Sequence, residues 1–561
     1  VTTATQNEPQ SAAGFTHKQI MVVLSGLLLG MLLGALDQTI VSTSIRTIAD
    51  DLSGYSMQAW VTTAYLITAT LSTPLYGKLS DMYGRKPFYL AAITIFVVGS
   101  LLCTFSQSMY ELAAFRAFQG LGAGGLMSLA LTILGDMVGP RERARYQGYF
   151  LAVFGTSSVV GPVLGGIISG QDEILGITGW RWVFLVNVPL GLIALAVVSR
   201  VLRLPKVERP KVAVDWFGVL TIALGLVPLL VVAEQGREWG WTSTNSIVCY
   251  VVGALGVASF IAIEARLGDA ALIPLRMFKN STFALGVVIS VVVGSAMFGG
   301  ITLLPQYLQV VRGSSPTLAG MQMLPLVLGM MSASIVAGQL ISRTGRYKIF
   351  PPIGAGLLVL GLFLLHFVTA DTHLYWTMLF MLVTGLGLGN LMQPLTLAIQ
   401  NALPPKDMGV STAAATFFRQ IGGTLGVAVF LSILFSQVTP NISDEMKVAV
   451  TQPEFQQALA DAPHSGNPAD LALAQSLASP NPSAAGDVLK DSSIIQQLSP
   501  ALAHPFKVGF ANAMDTVFLA AAGVALIALL LVFFWKEVPL RTAGGIQARQ
   551  ESAGESEKAT V

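Results

Sequence analysis

A chain of 561 residues would ordinarily divide into about three or four soluble domains, yet only 11% of this one is charged while 53% is hydrophobic. That balance excludes several water-facing surfaces and makes lipid the solvent. A formal net charge of +2, with Lys and Arg scattered along the chain, excludes the basic stripe of a nucleic-acid-binding protein.

In chain order, residues 1-19 form a polar N-terminal segment. The apolar run after it is followed by many others, so it reads as a span and not as a cleaved signal peptide. Apolar windows between charge clusters predict spans at 20-45, 57-78, 87-105, 110-135, 147-170, 181-200, 214-233, 246-265, 282-311, 319-341, 350-368, 375-400, 411-436 and 508-535. That is fourteen, an even count that puts both termini on one side. Cys103 and Cys249 each lie inside an apolar run and are expected to be buried small side chains. An insert at 437-507, rich in Ala, Gln, Ser, Pro and Asp, precedes the last span. Its stretches Glu454 to Asp461 and Ala469 to Ala478 could form short helices, although the composition fits a mobile loop equally well, and the insert could bind an extracytoplasmic partner. The tail 541-561 is expected to be disordered.

Alternating loops differ sharply in basic residues. One set, with the termini, holds 23 of the 32 Lys and Arg: Lys18, Lys78, Arg85, Lys86, Arg141, Arg143, Arg145, Arg200, Arg203, Lys206, Arg209, Lys211, Arg266, Arg276, Lys279, Arg343, Arg346, Lys348, Lys406, Lys536, Arg541, Arg549 and Lys558. The opposite set holds only Arg46, Arg237, Arg312, Lys447, Lys490 and Lys507. The positive-inside rule then makes both termini cytoplasmic.

The loop after the second span, Gly77 to Lys86 (GKLSDMYGRK), resembles the one after the tenth, Gly338 to Tyr347 (GQLISRTGRY). Gly77 aligns with Gly338, Leu79 with Leu340, Gly84 with Gly345 and Arg85 with Arg346, while Asp81 faces Ser342. Internal repeats of this kind build secondary transporters, whose substrate site lies between the halves near mid-membrane. The expected organisation is an all-α polytopic membrane protein: a six-helix bundle at 20-205, two linking spans within 206-270, and a second six-helix bundle at 271-540.

These motifs resemble those of the major facilitator superfamily, in its fourteen-span drug:proton antiporter branch. Gly77 to Lys86 matches the superfamily's loop signature. Leu36 to Val41 (LDQTIV), Arg116 to Gly125 (RAFQGLGAGG), Gly155 to Gly166 (GTSSVVGPVLGG) and Trp180 to Gly191 (WRWVFLVNVPLG) are similar to the branch's motifs in spans 1, 4, 5 and 6. The similarity covers about residues 20-535. Arg46 stands where the branch usually has proline. The resemblance implies the major facilitator fold, a cytoplasmic latch at Gly77, Asp81, Gly84 and Arg85 that stabilises an outward-open state, and an antiporter hinge at Gly155, Gly161, Pro162, Gly165 and Gly166. Ordinary membrane packing explains those glycines as well.

Asp37 lies in an apolar span, where low dielectric disfavours the charged carboxylate and fits it to take and release a proton. Arg116 is the other deep charge of the first half. At about 1.5 Å per residue, Asp37 is expected about 12 Å below the outer end of span 1 and Arg116 about 9 Å below the outer start of span 4, depths that permit a pair. The pair would tune proton release, or it would merely fix helix packing. Gln119 and Gly120 share the Arg116 face and, with Arg419 and Asp515, are candidate cavity residues. By depth Arg419 is expected to snorkel toward the cytoplasm, and Asp515 to lie outward near Lys507. Asp81 should sit by unsatisfied amides at the start of span 3. Glu234 is expected in an exposed outer turn, and His366 to be packed or interfacial. Phe417, Phe418, Met323 and Met392 could line an apolar cavity, although lipid contact is the leading expectation for each.

No phosphate loop, H-E-x-x-H or G-x-S-x-G occurs, and the five histidines are scattered, so neither ATP hydrolysis, a metal site nor an enzyme is expected. The leading reading is proton-coupled export of small hydrophobic or amphipathic compounds from the cell, through the cytoplasmic membrane of a bacterium. It needs no cofactor, since the proton gradient supplies the energy. Export of an endogenous lipid or metabolite is the alternative on the same fold, and a sensor or scaffold the alternative on another principle.

Overall fold

A chain in hydrocarbon must satisfy its backbone N–H and C=O groups internally, which favours helices. The computed structural model describes residues 16–52, 57–203, 214–478 and 494–541, and these are helical almost throughout. The expectations for residues 1–15, for Lys206, Arg209, Lys211 and Lys490, and for the tail beyond Arg541 lie outside the described residues.

The first half comprises α1 (His17–Asp51), α2 (Gln58–Tyr83), α3 (Arg85–Thr104), α4 (Met109–Met137) and α5 (Pro140–Ser169), then a broken pair, α6 (Trp182–Leu185) and α7 (Asn187–Val201). A short antiparallel ladder, β1 (Glu173–Ile174) with β2 (Ile177–Thr178), joins α5 to α6. Next come α8 (Trp216–Trp239) and α9 (Thr244–Leu267). The second half comprises α10 (Ser281–Gln306), which runs into a π-helical turn at Tyr307–Val311, then α11 (Pro316–Gln322), α12 (Leu324–Thr344), α13 (Phe350–Leu365), α14 (Leu374–Ala402) and α15 (Met408–Ala449). After it follow α16 (Pro453–Asp461), α17 (Pro468–Ala478), α18 (Ile494–Gln497) and α19 (Pro500–Phe533).

Among the described residues twelve helical stretches are long and apolar enough to cross a membrane. The other two expected windows fall on α2, diluted by Thr and Ser, and on α13, only 16 residues long. Several helices outrun their windows. The longest, α15, continues to Ala449 because Val438, Ile442 and Ala449 keep presenting an apolar face to the core beyond the hydrophobic window. Much of the insert therefore begins as helix, and α16 and α17 occupy the two stretches expected to be helical. Glu234 falls within α8 and not in a turn, because the helix runs on to Trp239; its side chain, like that of Arg46 on α1, is outside those described.

Two apolar cores follow the two halves, one among α1–α5 and α7, the other among α10–α15 and α19. Between halves, α2 packs on α15 and α5 on α12. The α8–α9 pair packs on itself where Gly256 approaches Gly225, and leans on α2 and α15 through Ile222, Leu71, Leu75, Phe417 and Phe418. Phe417, Met323 and Met392 are thus buried in protein and not lipid-facing, since these helices meet face to face. Both described ends of the chain lie at one end of the bundle: His17 Nδ1 is 2.7 Å from the Tyr146 hydroxyl of α5, and Arg541 donates to the Asn401 carbonyl of α14 at 2.7 Å. We call this the termini end.

In α4, Gly120 lets the α2 backbone approach so closely that a Cβ would strike the Tyr65 carbonyl. Gly120→Val should therefore destabilise the protein by about 1–3 kcal/mol, read as a lower thermal midpoint in detergent. Gly356→Ala, where a Cβ meets nothing within 4 Å, should leave the midpoint unchanged. Equal midpoints for the two variants would contradict this packing.

Candidate functional site

Asp37 is fully buried in the first half. Its Oδ2 accepts from Arg116 Nη1 of α4 at 2.6 Å, and its Oδ1 from Gln119 Nε2 at 2.9 Å and from Asn187 Nδ2 of α7 at 2.7 Å. Three N–H donors converging on two oxygens is the arrangement of an ionised carboxylate. Gln119 locks the group by accepting from Arg116 Nη1 at 2.6 Å and donating to Ser100 Oγ of α3 at 2.6 Å. The guanidinium also lies 4.0 Å above the Tyr65 ring. Five helices thus meet at one ion pair.

The second site is the turn between α2 and α3. Gly84, at φ 113°, is its single hinge residue, a backbone region that favours glycine. Arg85 leaves the turn inward, donating to Asp81 Oδ1 at 2.6 Å, Asp136 Oδ2 of α4 at 2.7 Å and Ser80 Oγ at 2.7 Å. Asp81 Oδ2 then accepts from the Val410 amide at 2.9 Å, in the first turn of α15. The amide that Asp81 meets therefore belongs to the other half and not to α3. The α15 N-terminus supplies both an orphan donor and the positive end of a helix dipole. Gly77 makes room for this contact, its Cβ position lying 2.9 Å from the Gly409 carbonyl.

The repeated loop makes the mirror contact with opposite charge. Where Asp81 has its counterpart in Ser342, Arg141 of α5 reaches across to donate to the carbonyls of Ser342 at 2.7 Å and Arg343 at 2.5 Å, at the end of α12. An acid caps a helix start on one side of the seam; a base caps a helix end on the other. Arg276 adds a bidentate bond to Asp407, which precedes α15, at 2.9 and 3.0 Å.

The glycines of α5 face two ways. Gly161 and Gly165 abut α1 at Thr39 and Ile40, and Thr39 Oγ1 donates to the Ser157 carbonyl at 3.0 Å. Gly155 abuts Val327 and Met331 of α12, while Gly166 and Pro162 face Thr317 and Gly320 of α11. Pro162 withholds the amide that would bond the Ser158 carbonyl, loosening the ladder at this crossing.

The four candidate cavity residues are not brought together. Gln119 belongs to the Asp37 cluster and Gly120 to the α2–α4 contact. Asp515 lies on α19, 2.7 Å from His366 Nδ1 at the end of α13. Arg419 does not snorkel; its buried side chain crosses to α4, Nη2 lying 3.8 Å from Met127 Sδ, because this face of α15 is turned toward the first half. Sequence reasoning missed Asn187 and Asp136. Each is a lone polar residue in an apolar run, the signal that would have found them.

A family model described as Major Facilitator Superfamily matches residues 27–427. Over 522 residues the chain is 34% identical to an uncharacterized MFS-type transporter of Mycobacterium tuberculosis, covering 92% of this chain and 70% of the relative. Over 428 residues it is 36% identical to the multidrug transporter protein MdtP of Bacillus subtilis, covering 76% and 77%. Among solved structures, the proton:xylose symporter XylE superposes with a TM-score of 0.57 over 95% of this chain and 99% of that one, at 15% identity, a likeness of fold alone.

Asp81→Asn removes the charge from the α15 cap while keeping its shape. Backbone hydrogen exchange across residues 408–412 should then rise roughly tenfold, as expected for losing about 1–2 kcal/mol at a helix start. Lys86→Gln serves as control, since Lys86 bonds the Ser199 carbonyl and not α15. Unchanged exchange in the Asp81 variant would remove the cap from the account.

Proposed function

The chain belongs to the Major Facilitator Superfamily, and from that premise we propose that it is a proton-coupled exporter of small hydrophobic or amphipathic compounds. The family is one of membrane-spanning transporters, so the chain is a transporter and not an enzyme. The finer reading is ours: a drug:proton antiporter of the fourteen-span branch, in a bacterial cytoplasmic membrane with both termini inside. The span count is supported by adding α2 and α13 to the twelve long apolar stretches, with α6–α7 and α11–α12 each crossing once. The orientation is supported by the 23 basic residues on the termini side. Efflux is supported by the 36% identity to a relative named as a multidrug transporter.

The observation that carries proton coupling is the fully buried Asp37 held by Arg116, Gln119 and Asn187. Protonation would neutralise the carboxylate and leave a buried guanidinium without its counter-charge, a loss of about 3–5 kcal/mol when one partner of such a pair is removed. The protein relieves that cost by rearranging until Arg116 is hydrated or paired elsewhere. Proton binding is thereby tied to movement of α1 against α4. Because α1 also packs on the glycine face of α5, the movement reaches the seam between halves.

In proteoliposomes under an imposed pH gradient, lipophilic cations, neutral drugs and lipids are offered in turn. At least one class should move against its own gradient. Asp37→Asn should lower gradient-driven movement about tenfold or more while leaving downhill exchange, because the neutral amide cannot cycle a proton. Gradient-driven transport with the same pH dependence in that variant would overturn the coupling role.

A further inference from the structure

The deep charge left unused by this mechanism is Arg419. It follows Met408, the first residue of α15, by 11 positions. At about 1.5 Å per residue that is about 16 Å from the termini end, near the middle of a hydrocarbon core about 30 Å thick. The side chain is only 7% exposed and spans the seam, with its helix in the second half and its tip against Met127 of the first. The next residue, Gln420, accepts from Thr73 Oγ1 of α2 at 3.4 Å, so two helices of the first half face this point of α15.

The other deeply buried arginines each meet strong oxygen acceptors. Arg85 has Asp81 and Asp136, and Arg116 has Asp37. Arg143 donates to Gln400 and to the carbonyls of Gly135 and Val138. Arg419 has a thioether, a weak acceptor, and among the described residues no carboxylate is paired with it. An uncompensated guanidinium in hydrocarbon is costly and marks a pathway more often than packing. Its planar fork of donors matches the oxygens of a carboxylate, sulfonate or phosphate.

Resting on the export reading above, we propose that Arg419 is the head-group receptor of the cargo site, and that the favoured cargo is an amphipathic anion whose charge pairs with it. The apolar body of the cargo then lies along the seam between α4 and α15. Rocking of the halves exposes the pair to water, where its attraction weakens and the anion leaves. A phospholipid head group anchored at the bilayer surface does not reach this depth; a free amphiphile does.

The test uses the full-length protein in nanodiscs of zwitterionic lipid. Energy transfer from tryptophan to three matched probes, pyrenebutanoate, pyrenebutanol and pyrenebutylammonium, reports binding, with empty nanodiscs correcting for partition. The wild type should bind the carboxylate at least about tenfold tighter than the alcohol. Arg419→Gln should abolish that preference while still binding the alcohol, which also shows that it is folded. Arg419→Lys should keep a reduced preference. Equal affinity for all three probes, or an unchanged preference in Arg419→Gln, overturns the proposal; should the Gln variant not fold, an unchanged preference in Arg419→Lys does so. The same probes in proteoliposomes separate the two readings. Gradient-driven efflux without any anion preference removes the role of Arg419 and leaves proton-coupled export standing. Anion preference at Arg419 without gradient-driven movement of any probe upholds the receptor and removes the export mechanism.

Discussion

A charge carried into hydrocarbon must be answered by another group, and this requirement organises the molecule. Arg116 is answered by Asp37. Buried Glu264 of α9 is answered by the amides of Leu272 and Ile273, at 3.1 and 3.0 Å. Each answer joins segments that hydrophobic packing alone would leave free to slide, because apolar side chains are as content with lipid tails as with one another. Polar groups therefore set the register of the helices, and glycines permit the approach that lets those groups meet.

The seam between halves obeys the same requirement with a change of sign. Two loops related by an internal repeat clasp the opposite half, one by presenting a carboxylate to amides, the other by receiving a guanidinium on carbonyls. Both contacts use the unsatisfied ends of helices, which exist whatever the sequence. A repeat that diverged at Asp81 and Ser342 could thus keep its clasp by exchanging which partner brings the charge.

Much of this was legible because hydropathy and helix period act locally. Every expected window falls on helix, since a long apolar run has no other way to satisfy its backbone in lipid. Helix ends were less legible: residues such as Val438 and Ile442 are buried by neighbours unseen in a linear reading. Asp37 and Arg116 could be matched by depth because both lie on long helices counted from the same surface. Asp81 could not be matched to Val410, which lies 329 positions away across the seam. Arg419 was misjudged because rotation about the α15 axis, and not depth, decides whether an arginine meets solvent or protein.

At about 1.5 Å per residue, the 42 residues of α15 make a rod about 63 Å long, roughly twice the thickness of the hydrocarbon core. One tip is fastened by Asp81 and Arg276; the other carries α16 and packs along α19. Such a rod acts as a lever with a compliant joint at Pro440, where one backbone bond is withheld. Freeing the fastened tip lets the rod tilt, and the helical cap at the far surface follows through that joint, so the state of one membrane face is felt, mechanically, on the other.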